Sequence, residues 1–184
     1  MGDAPRDVEL ALDSAQPIEA LAEDAWRLEP PEFEARHGSG FLLLTTTGRS
    51  VPKGPAVTEV SLFGEDEASA HTADLSVLVY SLRRARGAAG HLVTLGRAPG
   101  NDVVIPDRSV SRLHAIFKQD PSGAFLVLDA GSTNGSSVNG LPVPVKGRGP
   151  ASALRRGSTL RFGQVELTFV DGAGLRAFAM EKGA

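Results

Sequence analysis

The second half of the chain consists of short apolar runs, each ended by small polar residues. Runs of three or four apolar or β-branched residues occur, for example, at 92–95, 103–105 and 125–128. Runs this short, bounded by Gly, Pro, Asn and Ser, are typical of strands and too brief for helices. The pattern therefore predicts an all-β sandwich. The predicted strands are 75–82, 91–96, 102–105, 114–119, 124–129, 136–139, 142–145, 158–162 and 164–170.

Four polar motifs lie at the turns between these strands. They are Gly96-Arg97, Ser111-Arg112-Leu113-His114, Ser132-Thr133-Asn134-Gly135 and Asn139-Gly140. Side chains at the ends of neighbouring strands can converge on one rim of a sheet. The motifs would bring a fixed cation, several hydroxyls and two amides to that rim. Such groups hold an anion well and are poor nucleophiles, so the motifs indicate an anion-binding surface.

In this order and spacing, the motifs resemble those of the forkhead-associated (FHA) domain, a family of phosphothreonine-binding β-sandwiches. The resemblance covers about 74–170, roughly half of the chain. It implies an FHA-like sandwich of two antiparallel sheets, whose loops at one end bind phosphorylated peptides. The implied partner is a phosphothreonine-containing protein, either a Ser/Thr protein kinase or its substrate.

The resemblance also assigns roles to individual residues. Arg97 and Ser111 would hold the phosphate, Thr133 would frame the site, and Asn134 would hold the main chain of the peptide. Arg112 could add a second charge. A guanidinium suits phosphate because its planar fork donates several hydrogen bonds. Structural support of the site is expected from five further residues: Gly96, His114, Gly135, Asn139 and Gly140.

The chain departs from the family pattern at Ser109, where some members carry a basic residue that contacts the peptide. Without that residue the hold on the peptide main chain would be weaker. Arg108 is the candidate for a partial replacement.

Charge and periodicity divide the chain into three parts. Residues 1–74 carry a net charge of −10, residues 75–170 carry +7, and residues 171–184 are neutral. We expect an acidic N-terminal extension at 1–73, an FHA-like domain at 74–170 and a C-terminal tail at 171–184. The extension is predicted to have a mobile start, helices at 17–28 and 31–37, and a strand at 41–47 that docks on the sandwich. The tail is predicted to form a short helix at 174–181.

Composition argues against several other functions. The chain has no cysteine, which excludes disulfides and thiolate metal sites and suits a reducing compartment such as the cytoplasm. No run approaches the ~20 apolar residues of a membrane span, and no metal or cofactor is indicated. Ser111, His114 and Asp129 invite a catalytic interpretation, but no Gly-x-Ser-x-Gly elbow accompanies them, so no enzyme is expected. Nucleic-acid binding is not expected either, because the domain's few aromatic residues lie inside apolar runs.

One alternative stays open at this stage. The FHA fold could serve as a phosphorylation-independent scaffold, or as a self-masked adaptor whose acidic N-terminal arm occupies the basic rim. An arm on the same chain would act at a high effective concentration.

Overall fold

The structure is a computed structural model and describes residues 15–47, 75–84 and 92–182. Within these ranges the chain forms twelve strands and three helices. The helices are α1 (Glu19–Arg27), α2 (Pro30–His37) and α3 (Gly172–Lys182). The strands are β1 (Ala15–Pro17), β2 (Gly40–Thr47), β3 (Leu75–Ser81), β4 (Leu92–Gly96), β5 (Val103–Val104), β6 (Ala115–Gln119), β7 (Phe125–Asp129), β8 (Ser136–Val138), β9 (Leu141–Pro142), β10 (Ser152–Ala153), β11 (Thr159–Phe162) and β12 (Val165–Asp171).

The strands form two sheets that pack face to face. One sheet has the order β1-β3-β2-β12-β11-β8-β9, and the other has the order β10-β7-β6-β4-β5. Their pairings are antiparallel except for β4 with β5, which is parallel. The predicted fold class is confirmed: the protein is a β-sandwich with a partly helical N-terminal extension and a C-terminal helix.

The core between the two sheets follows the period-two alternation of the strands. In β7, Phe125, Val127 and Asp129 are buried, whereas the residues between them are partly exposed. Phe117 and Phe162 meet across the core edge to face, with ring centroids 6.1 Å apart. Phe162 also contacts the ring of His114 at 5.5 Å. The aromatic core therefore reaches the end of the sandwich where the polar motifs lie.

The three helices cover the outer face of the seven-stranded sheet. Leu21, Phe33 and Leu175 pack there with outward-facing strand residues such as Phe41 and Val79. Leu42 of β2 faces the opposite way, into the core between the sheets. Both faces of this sheet are thus buried, which explains why 41–44 is continuously apolar rather than alternating.

Strand β2 lies between β3 and β12 in the large sheet. Phe41 pairs with Ser81 on one side and with Val170 on the other. The segment predicted as a strand at 41–47 is therefore a central member of the sheet. Residues 57–63, predicted as a weaker strand, and the acidic stretch 64–73 lie outside the described residues.

Several elements differ from their predicted bounds. Ala15 and Gln16, in the stretch expected to lack order, pair with β3 as part of β1. Of the predicted strand at 142–145, only Pro142 lies in β9, and Val145 forms an isolated bridge to Asp129. β10 has no counterpart in the predicted set. Trp26 lies four residues after Ala22, a spacing that predicts a place on the apolar face of the first helix, but it is 57% exposed. Among the described residues, none of the helices has the length and apolar content that a membrane crossing requires.

Candidate functional site

Loops at one end of the sandwich enclose an open concavity of about 460 Å³. We call the loops at 97–102, 106–114 and 130–135 the first, second and third loop. The five residues predicted to contact a phosphopeptide all line this concavity, together with five others. The lining residues are Arg97, Arg108, Ser109, Val110, Ser111, Arg112, Leu113, Gly131, Thr133 and Asn134.

Arg97 begins the first loop and is held against the second. Its backbone N–H donates to the Ser111 carbonyl at 2.9 Å, and its Nε donates to the Val110 carbonyl at 3.2 Å. The side chain is exposed, and no ion pair among the described residues involves it. One edge of the guanidinium is therefore fixed, and its terminal amino groups remain available for an anion.

Gly96 and Asn101 set the spacing between the first two loops. A Cβ on Gly96 would lie 2.3 Å from the Arg112 carbonyl oxygen, so only glycine allows this approach. The Asn101 side-chain amide donates to that same carbonyl at 2.7 Å and to the Ala98 carbonyl at 2.8 Å. Asn101 is a supporting residue that sequence reasoning missed.

Ser111 and Thr133 join the second loop to the third. The Thr133 backbone N–H donates to Ser111 Oγ at 3.0 Å, and the two hydroxyl oxygens lie 3.5 Å apart. Two hydroxyls from separate loops therefore stand side by side in the concavity, next to the loop that carries Arg97.

His114 lies beneath this junction and is fully buried. Its Nδ1 accepts the Ser111 backbone N–H at 2.9 Å. Its Nε2 must then carry the proton, which it donates to the Gly135 carbonyl at 3.1 Å. Burial lowers the pKa of His114, against smaller opposing effects from the Gly135 hydrogen bond and the Asp129 charge. A neutral imidazole thus connects the second and third loops from inside.

Ser109 is the centre of a second junction. Its carbonyl accepts the Asn134 side-chain amide at 2.8 Å, and its Oγ accepts the Gln164 backbone N–H at 2.9 Å. Gly163 packs so closely that an added Cβ would lie 2.4 Å from the Ser109 carbonyl oxygen. The amide nitrogen of Asn134, predicted to bind a peptide main chain, is therefore bonded within the protein. No residue in the described ranges donates a hydrogen bond to its side-chain oxygen.

Ser109 is itself positioned by Asp107. The Asp107 carboxylate accepts the Ser109 N–H at 2.7 Å and the Ser109 hydroxyl at 2.6 Å. The same Asp-x-Ser arrangement occurs at Asp120 and Ser122. This local pattern was the signal in the sequence that could have identified Ser109 as an organised turn residue.

Asp129 organises the third loop from a buried position. It is 2% exposed, and its carboxylate accepts the backbone N–H groups of Gly131 and Ser132, both at 2.7 Å. The hydroxyls of Ser132 and Ser136 donate to it at 2.6 and 2.5 Å. Desolvation raises the pKa of Asp129, but these hydrogen bonds outweigh it and bring the pKa below its ordinary value.

These contacts do not assemble the catalytic arrangement that Ser111, His114 and Asp129 invite. Within the part of the chain that the structure describes, no hydrogen bond joins Ser111 Oγ to the imidazole or the imidazole to Asp129. Each of the three side chains is instead occupied in holding a loop. The described residues also contain no cluster of three or more His, Cys, Asp or Glu that could hold a metal ion.

Asn139 and Gly140 lie outside the concavity, in the turn between β8 and β9. Both have positive φ, +50° and +79°, the conformation that Asn and Gly tolerate best. Asn139 exchanges two hydrogen bonds of 2.8 Å with the backbone of Thr159, and one of them uses its side-chain oxygen. These contacts hold β8 against β11. Gly135, at φ +75°, supplies the carbonyl that His114 holds.

Known proteins resemble part of this chain. An oxoglutarate dehydrogenase inhibitor from Corynebacterium diphtheriae is 37% identical over 79 residues, which are 43% of this chain and 50% of that protein. The glycogen accumulation regulator GarA of Mycolicibacterium smegmatis is 38% identical over 77 residues, 42% of this chain and 44% of that protein. The chain thus spans about half the length of these curated relatives.

A solved FHA domain of a Mycobacterium tuberculosis ABC transporter is 28% identical. The match covers 65% of this chain and 93% of that one, with a TM-score of 0.39. A family model described as the FHA domain matches residues 93–163, the stretch that contains all four motifs. This matched stretch is therefore a forkhead-associated domain.

Proposed function

We propose that the protein is a phosphothreonine-dependent interaction module that works in Ser/Thr kinase signalling. Its ligand is a phosphothreonine-containing protein, either a Ser/Thr protein kinase or its substrate, bound by the loops around the concavity. The outcome of binding is recruitment of the partner, without chemistry on it. We assign this recognition to the cytoplasm, a compartment that suits a chain without cysteine.

One observation carries the proposal: Arg97 lines the same concavity as the hydroxyl groups of Ser111 and Thr133, which lie 3.5 Å apart on two other loops. Phosphothreonine carries about −1.5 to −2 charges at neutral pH and has three acceptor oxygens. The terminal amino groups of Arg97 and the hydroxyls of Ser111 and Thr133 offer matching donors. Each charge-assisted hydrogen bond contributes about 1.5–3 kcal/mol, so two of them separate a phosphorylated peptide from its bare form by several kcal/mol.

The remaining predicted residues have supporting parts in this proposal. Arg112 adds positive charge, and Asn134 offers its side-chain oxygen to the main chain of the peptide. Gly96, His114, Gly135, Asn139 and Gly140 maintain the loop geometry. Two relatives that match part of this chain are named as an inhibitor and a regulator, which fits a module that acts by binding.

The test is a comparison of one phosphothreonine peptide, selected from an oriented library, with its unphosphorylated twin. The whole chain should bind the phosphorylated form with micromolar affinity, about −8 kcal/mol. Arg97→Ala should reduce the affinity for that form at least about tenfold and remove the discrimination. Arg148→Ala is the matched control, because it removes the same charge from an exposed position outside the concavity.

Two results would contradict the proposal. If a folded Arg97→Ala variant still binds the phosphorylated peptide more tightly than its unphosphorylated twin, a group other than Arg97 recognises the phosphate. Equal binding of both peptides by the unmodified chain would favour the phosphorylation-independent scaffold instead.

A further inference from the structure

The concavity carries more positive charge than one phosphate requires. Three arginines line it, Arg97, Arg108 and Arg112, and none of its ten lining residues is acidic. All three side chains are exposed, and no ion pair among the described residues includes any of them. A phosphothreonine brings at most about two negative charges. One guanidinium is therefore left without a counter-charge when a singly phosphorylated, otherwise neutral peptide is bound.

Arg97 and Arg112 belong to the Ser111 side of the concavity. The Arg97 backbone N–H donates to the Ser111 carbonyl, and Arg112 follows Ser111 directly. The Arg112 carbonyl is also fixed, by the Ala98 N–H at 3.1 Å and the Asn101 side chain at 2.7 Å. These two arginines are the pair placed to neutralise a phosphate next to the Ser111 hydroxyl.

Arg108 is carried by a separate turn. The Val110 N–H donates to the Asp107 carbonyl at 3.1 Å, which closes a four-residue turn with Arg108 at its second position. The next residue, Ser109, is tied to Gln164 and Asn134 rather than to Ser111. The Asp107 carboxylate is engaged by Ser109 and does not line the concavity. A turn that is held by Asn134 and Gln164 therefore carries Arg108 in the lining of the concavity.

We propose that Arg108 binds a second anionic group of the partner, close in sequence to the phosphothreonine. That group is either the carboxylate of an Asp or Glu or a second phosphorylated residue, since both offer paired oxygens to a guanidinium. This inference rests on the proposed function and makes it more specific: the preferred ligand is a phosphothreonine segment that is acidic on one side.

The experiment measures the affinity of the whole chain for three sets of phosphothreonine peptides. One peptide has neutral neighbours, a series moves a single Asp through the flanking positions, and a second series replaces that Asp with phosphoserine. At one or more positions, Asp should raise the affinity by about fivefold at moderate salt, as for an exposed ion pair. Phosphoserine should raise it further, because it carries more charge. The position of the gain identifies the flank, and the two series distinguish the two sources of negative charge.

Arg108→Ala decides whether this residue is responsible. The variant should lose this gain, so that it binds the Asp and phosphoserine peptides no more tightly than it binds the peptide with neutral neighbours. Arg148→Ala, the control of equal charge outside the concavity, should keep the gain. Equal melting temperatures of the three proteins verify that the exposed substitutions leave the fold intact.

Three results would overturn the inference while leaving the proposed function in place. They are a neutral-neighbour phosphopeptide that binds with no gain from any acidic neighbour, a gain that survives Arg108→Ala, and a gain that Arg148→Ala removes equally. Failure of every phosphopeptide to bind better than its unphosphorylated twin would overturn both.

Discussion

The Ser111 backbone N–H donates a hydrogen bond to Nδ1 of His114 at 2.9 Å. A backbone N–H can only donate, so this bond requires an imidazole that is unprotonated at Nδ1. Protonation of Nδ1 would place its hydrogen against the hydrogen of the Ser111 N–H at the base of the second loop. The neutral state of one buried ring therefore holds together the loops that form the concavity.

We expect the stability of the protein to depend on the pH through His114. Burial lowers its pKa in the folded state below the ordinary value of 6.5, so the unfolded chain binds the proton more readily. Its contribution to stability is complete above about pH 6.5 and is lost as the pH falls through the lower folded pKa. Urea unfolding at about pH 7.5 and 5.5 should show a larger loss of stability for the unmodified chain than for His114→Gln. Equal losses would contradict this role, because the other titrating groups are common to both proteins.

Gly96→Ala should destabilise the protein by about 1–3 kcal/mol, the usual cost of forcing an extra group into a packed site. The added Cβ would meet the Arg112 carbonyl oxygen, so the first and second loops must separate. Affinity for the phosphothreonine peptide should fall as well, because Arg97 and Ser111 move apart. Chemical unfolding and peptide titration measure the two effects.

The same loop supplies the control for that substitution. A Cβ on Gly100 would meet nothing within 4 Å, so Gly100→Ala should change the stability and the peptide affinity little. A Gly96→Ala variant as stable as Gly100→Ala would contradict the close approach of the Arg112 carbonyl to Gly96.

Asp129→Ala should cost about 1–3 kcal/mol, because it removes the acceptor from buried hydroxyl and N–H donors. The folded pKa of Asp129 lies below its ordinary value, so its contribution is complete at neutral pH and is lost only in acid. Asp120→Ala removes a partly exposed carboxylate that accepts the N–H and the hydroxyl of Ser122, and it should have a smaller effect. Denaturant unfolding of the two variants compares the buried carboxylate with the partly exposed one, and a larger loss of stability for Asp120→Ala would be the contrary result.

Phe33→Ala should destabilise the whole sandwich by about 3–5 kcal/mol, the usual cost of emptying a buried aromatic position. Phe33 is fully buried between the helices and the seven-stranded sheet, whereas Trp26 is 57% exposed. Trp26→Ala should therefore change the stability by less than about 0.5 kcal/mol. A single unfolding transition that shifts in Phe33→Ala would show that the helical layer folds with the sheets. Two separate transitions would show that it does not.

The fold was predictable because period-two burial and turn residues mark most strands directly. β10 could not be found in this way, since two residues carry no periodicity and their pairing with β7 is set by the tertiary structure. β9 is shorter than predicted at a stretch with two prolines, Pro142 and Pro144, which lack the N–H that a ladder needs. The spacing of Trp26 fits an amphipathic helix, but the apolar stripe that is buried is narrower than the spacing suggests.

The candidate site was predictable for the residues that belong to a sequence motif. Arg97, Ser111 and Thr133 line one concavity although 36 positions separate the first from the last. Ser109, Asn101 and Asp129 were missed as supporting residues because a polar residue at a turn looks the same whether it caps that turn alone or joins two loops. The roles of the site residues in binding, and the division of the chain at 73/74 and 170/171, stay predictions.

The position of β2 limits which fragments of this protein can fold. The stretch that matches the family model ends before β12 and begins after β3, yet β2 joins those two strands at the middle of the larger sheet. A fragment cut at 93 and 163 would keep the polar loops but lose four adjoining strands, exposing the side of β11 as an open edge. Open edges of this kind pair with other chains, so aggregation of such a fragment would say nothing about its affinity for a ligand.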